Sequence, residues 1–286
     1  MQITDTIAGL RAARAQVSGS IGLVPTMGAL HAGHLSLAAR ARSENDTVIV
    51  TIFVNPLQFG PTEDFAAYPR DLEGDLKVLE NAGVDLVFTP TPDLMYPPGF
   101  QTTVDVGSLG QILEGAHRPG HFRGVATVVA KLFNLTQPQR AYFGQKDAQQ
   151  VAVIRQMVRD LNFPLEVVVC PIVRDSDGLA LSSRNAYLTP DQRRAAPVLY
   201  RALRAAAAAY VVGERDPEAL RRIMHATLAA EPLAQPEYVS VADADTLAEC
   251  QENLAQRTLL SMAVRIGRTR LIDNLVLPED NAIERL

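Results

Sequence analysis

The sequence predicts an α/β fold, a parallel sheet wound with helices, followed by a smaller α+β unit. Three observations point there. Up to about residue 170, short β-branched runs alternate with segments of helical period, the rhythm of consecutive βαβ units. The run Val48-Ile49-Val50-Thr51-Ile52-Phe53-Val54 is nearly continuous in apolar residues, as in a strand covered on both faces. The polar, turn-rich stretches follow directly after such runs, where ligands bind in open parallel sheets, beyond the carboxyl ends of the strands.

Each element has its own signal. Residues 1–17 carry Asp5, Arg11 and Arg14 among small apolar residues and read as a short amphipathic helix, not a signal peptide. Residues 21–24 form a first buried strand, turned by Pro25-Thr26-Met27-Gly28 into a helix whose apolar period runs over 35–42. Residues 48–54 are the second strand. A helix over 72–81 stops before Gly83, and residues 84–88 are the third strand. Residues 124–135 are apolar on most faces, which suggests a buried helix. Residues 140–143 make a fourth strand ending at Gly144, and residues 147–161 a helix with Val151, Ile154, Met157 and Val158 on its apolar side. Residues 165–170 are the fifth strand. The rhythm changes after about Asn185. Residues 189–210 read as one long alanine-rich helix, capped by Thr189 with Pro190 at its first position. Asp216-Pro217 opens another helix, and residues 238–241, 259–266 and 270–277 read as strands. The domain break is expected at 176/177, with the loop 174–184 running across it and little obvious chemistry beyond.

Composition narrows the function classes. With 286 residues the chain has room for about two domains. It is 47% hydrophobic and 21% charged, ordinary for a globular protein. A formal net charge of -5 argues against a nucleic-acid partner held by phosphate contacts. No apolar run approaches the length of a membrane span. Two cysteines are too few for a disulfide framework, so cytoplasmic residence is the expectation.

Two short motifs carry the chemistry. His31-Ala32-Gly33-His34 sits where a strand and a glycine-bearing turn lead into a helix. A helix start offers backbone N–H groups and the positive end of the macrodipole, which suit phosphate. Two imidazoles three residues apart share one side of that first turn and can donate to a phosphate whose charge grows as a bond breaks. Metal ligation by the same pair is the competing reading, although no third ligand stands nearby in sequence. The second motif, Leu181-Ser182-Ser183-Arg184, combines hydroxyls with a guanidinium, a set suited to polyphosphate and equally at home in a polar loop. Lys146, just past the fourth strand, is either a solvated lysine or a point charge for a phosphate, and Asp147 beside it is a candidate helix cap.

Taken in order, these blocks resemble the pantothenate synthetase (pantoate–β-alanine ligase) family of the HIGH-motif nucleotidyltransferase superfamily. The resemblance runs from Pro25-Thr26-Met27-Gly28-Ala29-Leu30-His31-Ala32-Gly33-His34 through Phe53-Val54-Asn55-Pro56-Leu57-Gln58-Phe59 and Tyr68-Pro69-Arg70. It continues through Arg118-Pro119-Gly120-His121-Phe122-Arg123-Gly124-Val125, Phe143-Gly144-Gln145-Lys146-Asp147 and Asp177-Gly178-Leu179-Ala180-Leu181-Ser182-Ser183-Arg184-Asn185 to Leu271-Ile272-Asp273-Asn274. It implies a Rossmann-like catalytic domain over 1–176 that binds nucleotide and pantoate, and an α+β lid domain over 177–286. The implied reaction condenses pantoate with β-alanine at the expense of ATP, through a pantoyl-adenylate, with Mg2+.

The resemblance also implies roles. His31, His34, Lys146 and Arg184 would be catalytic. ATP would meet Met27, Gly28, Ala29, Leu30, His31, Ala32, Gly33 and His34, then Gly144, Gln145, Lys146 and Asp147, then Val173, Leu181, Ser182, Ser183 and Arg184. Gln58 and Gln150 would hold pantoate, their amides both donating and accepting, and Gln58 would also meet β-alanine. Asn55 would help by position. Arg118, His121 and Arg123 would support the site from a loop. Asp75 is a candidate metal ligand by analogy, with Gly74 beside it where many relatives carry another acidic residue. A homodimer is implied, with the apolar second strand a candidate interface.

Overall fold

The computed structural model describes residues 1–61 and 63–278. The chain divides into two compact units, Met1–Gly144 with Gln149–Cys170, and Gln145–Ala148 with Pro171–Leu286. The first holds β1 (Gln2–Thr4), α1 (Ile7–Ala15), β2 (Ile21–Thr26), α2 (Ala32–Glu44), β3 (Thr47–Ile52), α3 (Leu72–Asn81), β4 (Leu86–Phe88), α4 (Pro92–Met95), α5 (Glu114–His117), α6 (His121–Thr136), β5 (Arg140–Gly144), α7 (Ala148–Asp160) and β6 (Glu166–Cys170). Among the described residues its sheet has six strands in the order β1-β4-β3-β2-β5-β6, every neighbouring pair parallel. The order reverses at β2, with β3 on one side and β5 on the other, which makes the gap beyond their carboxyl ends the switch point of the sheet.

Alternation along the strands builds two cores. Ile21, Leu23, Ile49, Phe88, Ala141 and Phe143 face α1, α6 and α7. Val24, Val48, Val50, Val87 and Tyr142 face α2 and α3. Each fully buried Leu, Ile or Phe contributes about 1.5–3 kcal/mol relative to exposure. The second strand is thus a central one, with Val48, Ile49, Val50 and Thr51 essentially inaccessible.

Several expectations need correction. The first residues are not all helix: Gln2–Thr4 pair with β4 at the sheet edge, and α1 starts only after Thr6, whose hydroxyl accepts from Gly9 N–H. Three residues show no period, so the edge strand left no pattern. The buried helix starts at His121 rather than 124, because Gly120 takes a left-handed φ of 84° that turns the chain into it. The single long helix over 189–210 is broken in two.

The second unit contains α8 (Pro190–Ala195), α9 (Val198–Val211), α10 (Pro217–Ala229), β7 (Ala234–Asp243), β8 (Thr258–Ile266) and β9 (Thr269–Leu277). Pro197 separates α8 from α9, since it has no N–H to continue the helical ladder. The three strands are antiparallel in the order β7-β8-β9, and Leu199, Leu203, Leu220, Met224, Leu260, Met262 and Leu271 fill the core beneath α9 and α10. The units divide at 170/171 rather than at 176/177, and Gln145–Ala148 group with the second. The reason lies in β9. Arg174 forms a bidentate pair with Asp273, and Asn274 bonds the carbonyls of Gln145 and Lys146.

Candidate active site

The site in the first unit starts where β2 and β5 part. Their register covers only Gly22 with Arg140 and Leu23 with Ala141, two residues short of Pro25. Proline has no N–H for a ladder, so β2 stays paired with β3 alone up to Thr26. The chain then turns through Met27, Gly28 and Ala29. Gly28 has φ 83°, and an added Cβ would lie 2.9 Å from Asp75 Oδ2 and 3.1 Å from Ile52. Ala29 follows at φ 51°, a left-handed conformation that costs a side-chain-bearing residue energy. Asp75, buried on α3, holds this turn: Oδ2 accepts from Ala29 N–H at 2.8 Å and Oδ1 from Leu30 N–H at 2.7 Å. Burial pushes its carboxyl above the ordinary value, against the pull of those two N–H groups.

The imidazoles cap α2 reciprocally. His31 Nδ1 accepts from Gly33 N–H at 3.1 Å, and His34 Nδ1 accepts from His31 N–H at 3.4 Å. His34 and Leu35 N–H groups go to the His31 carbonyl. The backbone donors of Leu30, His31, Gly33 and His34 are therefore already occupied, contrary to the expectation of an open N–H cradle. A neutral imidazole that accepts at Nδ1 carries its hydrogen on Nε2. The two rings lie 4.1 Å apart, centroid to centroid, so two Nε2–H groups sit side by side.

The Asp75 carboxylate is engaged by the turn. Both its oxygens are tied to the turn, and no group of three or more His, Cys, Asp or Glu suited to a metal occurs among the described residues.

The short helical turn Pro56–Gln58 follows β3. Asn55, 1% exposed, uses every polar atom: Oδ1 accepts from Leu57 N–H and Tyr96 hydroxyl, and Nδ2 donates to Gln58 Oε1 and the Gly124 carbonyl. Gln58 Nε2 points to Met27 Sδ at 3.1 Å, a weak acceptor. A Cβ on Gly124 would come within 2.2 Å of the Leu57 carbonyl oxygen, so only glycine lets α6 approach this turn. Arg118 grips Glu63 through two bonds of 2.6 and 2.7 Å and lies 3.1 Å from His121 Nε2. His121 Nδ1 lies 2.8 Å from the Gln58 carbonyl oxygen. The ring therefore donates at Nδ1 and accepts at Nε2 from Arg118. Burial, then Arg118, push its pKa down to about 4. Arg118 and His121 thus brace the Gln58 backbone at its carbonyl.

Two adjacent glutamines on α7 differ sharply. Gln149 is buried and fully bonded, accepting from Glu114 N–H and donating to the Leu109 and Ile112 carbonyls. Gln150 is half-buried, with no hydrogen-bond partner for its amide among the described residues.

The second unit carries the other expected residues. Gln145–Asp147 form a helical turn directly after Gly144 and run into α7, with Lys146 Nζ 3.8 Å from Asp147 Oδ1. Val173 and Leu181 are brought together across a small hairpin: Leu181 N–H donates to the Val173 carbonyl, and Arg174 bridges Ala180. Gly178 turns the hairpin at φ 93°, and Arg193 ties Asp175 and Asp177 at its tip. Ser182 caps the next turn, Ser183–Tyr187, by accepting from Arg184 N–H. Sequence reasoning gave no role to Asp273, Asn274 or Glu63, and it held Asn55 only as an aid by position. All four are buried or half-buried polar residues that touch backbone or each other's neighbours, which spacing does not reveal.

The fold and these groups define an α/β protein with a cluster of polar side chains at its sheet switch point. A family model described as pantoate-beta-alanine ligase matches residues 2–276. The chain is 64% identical over 277 residues to pantothenate synthetase of Roseiflexus sp. (strain RS-1), covering 97% of this chain and 99% of the relative. It is 58% identical to that of Moorella thermoacetica, with 97% and 99% covered. The crystal structure of pantothenate synthetase from Thermus thermophilus superposes with a TM-score of 0.92 at 53% identity, over 96% of this chain and 99% of that one. Pantoate-beta-alanine ligase from Francisella tularensis, complexed with Beta-gamma ATP and Beta-alanine, does so at 0.78 and 38%, over 96% and 97%. The chain belongs to the pantoate–β-alanine ligase family and is an enzyme of that class.

Proposed function

We propose that the chain condenses (R)-pantoate with β-alanine through a pantoyl-adenylate, in the cytoplasm, as a step in pantothenate and coenzyme A biosynthesis. A carboxylate is a poor electrophile. A pantoate carboxylate oxygen attacks the α-phosphorus of ATP, and the bond to pyrophosphate breaks. The β-alanine nitrogen then attacks the acyl carbon, AMP departs with the C–O electron pair, and the amine loses its proton to water. No protein nucleophile is needed, so positioning and charge stabilisation carry the rate.

The observation that carries this reading is the pair of Nε2–H donors of His31 and His34 at the sheet switch point, on a turn whose backbone is already bonded. They are suited to a phosphoryl group gaining charge, with His34 the proton donor of the family. Lys146 and Arg184 would neutralise the departing pyrophosphate, with Ser182 and Ser183 donating to it. Residues 27–34, 144–147, Val173 and Leu181 would line the nucleotide. Gln58 and Gln150 would bind pantoate, the partnerless amide of Gln150 favouring that choice over Gln149, and Gln58 would also meet β-alanine. Asn55 would hold Gln58. Mg2+ belongs to this proposal only as the ion carried by the ATP phosphates and water, which magnesium generally prefers to protein cages. The active species would be a homodimer.

Mass spectrometry of reactions with ATP, magnesium and pantoate tests it. Pantoyl-adenylate without β-alanine, and pantothenate plus AMP with it, are the expected products. Folded protein that forms no pantoate-dependent product would overturn the reading.

A further inference from the structure

We infer that Asn274 is the positioning residue of Lys146. This rests on the proposed role of Lys146 at the ATP phosphates. The block Leu271-Ile272-Asp273-Asn274 stands out in the sequence without any chemistry to explain it. Its last two residues lie near the end of β9, where successive side chains point to opposite faces. Asp273 shares the core side with Leu271 and Leu277, where Arg174 binds it at 2.6 and 2.8 Å with its guanidinium 4.0 Å from the Tyr200 ring centroid. Asn274 therefore faces the other side of the sheet, and it meets the turn Gln145–Asp147 there.

The contact saturates the amide. Asn274 Nδ2 donates to the Gln145 carbonyl at 3.0 Å and to the Lys146 carbonyl at 3.0 Å, and Oδ1 accepts from Gln145 Nε2 at 3.1 Å. The residue is 3% exposed. Two donors aimed at consecutive carbonyls fix the peptide planes on both sides of the Lys146 Cα, and so the direction in which its side chain leaves. An amide is the group for this task, because a carboxylate would place oxygen against both carbonyls and a hydroxyl would reach only one. The same two-residue block also sets the hairpin before Ser182. Arg174, held by Asp273, donates to the Gly178 carbonyl at 3.0 Å. Asn274 contacts the proposed nucleotide residues through the Gln145 amide and the two backbone carbonyls, so it acts through the turn that carries Lys146.

Ser261 supplies a control on the same face. It pairs with Asn274 across β8 and β9, and its buried hydroxyl has no partner among the described residues. The readout is pantoate-dependent exchange of pyrophosphate into ATP, which reports the first half-reaction alone. Asn274→Ala should slow exchange by about 100-fold, the scale of a 1 Å misplacement of a catalytic group. The loss should lie in kcat with the pantoate KM near its parent value. Ser261→Ala should stay within about twofold, because it breaks no bond. The double variant Asn274→Ala/Lys146→Ala should be no slower than Lys146→Ala, since an anchor has no effect once its cargo is gone. Losses that multiply in the double variant, or an Asn274→Ala enzyme exchanging at the parent rate, would overturn the inference. Should Asn274→Ala fail to fold by thermal melting, Asn274→Ser, which keeps one donor, goes through the same cycle with an expected loss of about tenfold. Lys146→Ala exchanging at the parent rate would instead remove Lys146 from the phosphates and the inference with it.

Discussion

The turn that carries His31 and His34 and the turn that carries Lys146 are held by opposite chemistry. In the first, backbone N–H groups point inward and a buried carboxylate, Asp75 from α3, receives them. In the second, backbone carbonyls point inward and a buried amide, Asn274 from β9, donates to them. Each anchor comes from an element remote in sequence and matches the polarity of the backbone it meets. The side chains proposed for the ligand carry structural contacts as well, most clearly His31 and His34, whose Nδ1 atoms cap α2. The difference teaches that the two turns tolerate error differently. The first contains a left-handed alanine at Ala29 that has to be held in place, whereas the second is an ordinary helical turn that has only to be aimed.

Removing the stronger anchor is the hardest test of that contrast. Asp75→Asn keeps the volume but turns an NH2 toward one of the two N–H groups. Leaving a buried donor unmatched costs about 1–3 kcal/mol. Denaturant unfolding should register that loss, and the ATP-dependent half-reaction should slow by about 10- to 100-fold as the turn from Gly28 to His31 loosens. Restoration of the rate by excess magnesium would identify Asp75 as a metal ligand and break the symmetry between the two anchors.

The two kinds of residue were unequally legible in sequence. The groups proposed to meet a ligand come as short motifs at strand ends, so His31, His34, Lys146 and the residues 181–184 stand out in the sequence. The strands of the parallel sheet were legible for a related reason, since burial on both faces leaves β-branched runs. Anchors leave no such trace. Asp75 entered only by analogy as a candidate metal ligand, and its hold on N–H groups 45 and 46 residues away leaves no mark in the sequence. β1 escaped because three residues carry no period, and the break at Pro197 because helix-forming residues flank it, Arg193 to Ala196 before and the alanine-rich α9 after.

Gln149 and Gln150 extend the comparison to neighbours of one residue type. Gln149→Ala would leave Glu114 N–H without its acceptor and the Leu109 and Ile112 carbonyls without a donor. A loss of about 2–4 kcal/mol in stability is expected, with the pantoate KM of the folded enzyme little changed. Gln150→Ala should do the reverse, raising the pantoate KM by about tenfold, the worth of one hydrogen bond, with an unaltered melting curve. A stability loss at Gln150 with no change in KM would move the pantoate contact elsewhere on α7.

The smallest expected effect concerns the brace behind Gln58, and it is read against pH. His121 is neutral in the fold, its pKa pushed down to about 4 by burial and by Arg118, whereas an unfolded histidine titrates near 6.5. Between those values the unfolded chain binds a proton that the folded chain refuses. Its contribution to stability is therefore fully present above pH 6.5, declines as pH falls toward 4 and levels off below. Glu63 and Glu114 also act on this ring and Glu63 pairs with Arg118, so the parent curve alone mixes several groups. His121→Gln cannot titrate, and subtracting its stability curve from the parent's isolates the ring. The difference should slope only between about pH 6.5 and pH 4. Parallel curves across that window would mean that the imidazole is as well solvated in the fold as outside it, and that Gln58 is positioned by Asn55 and Gly124 without the Arg118–His121 relay.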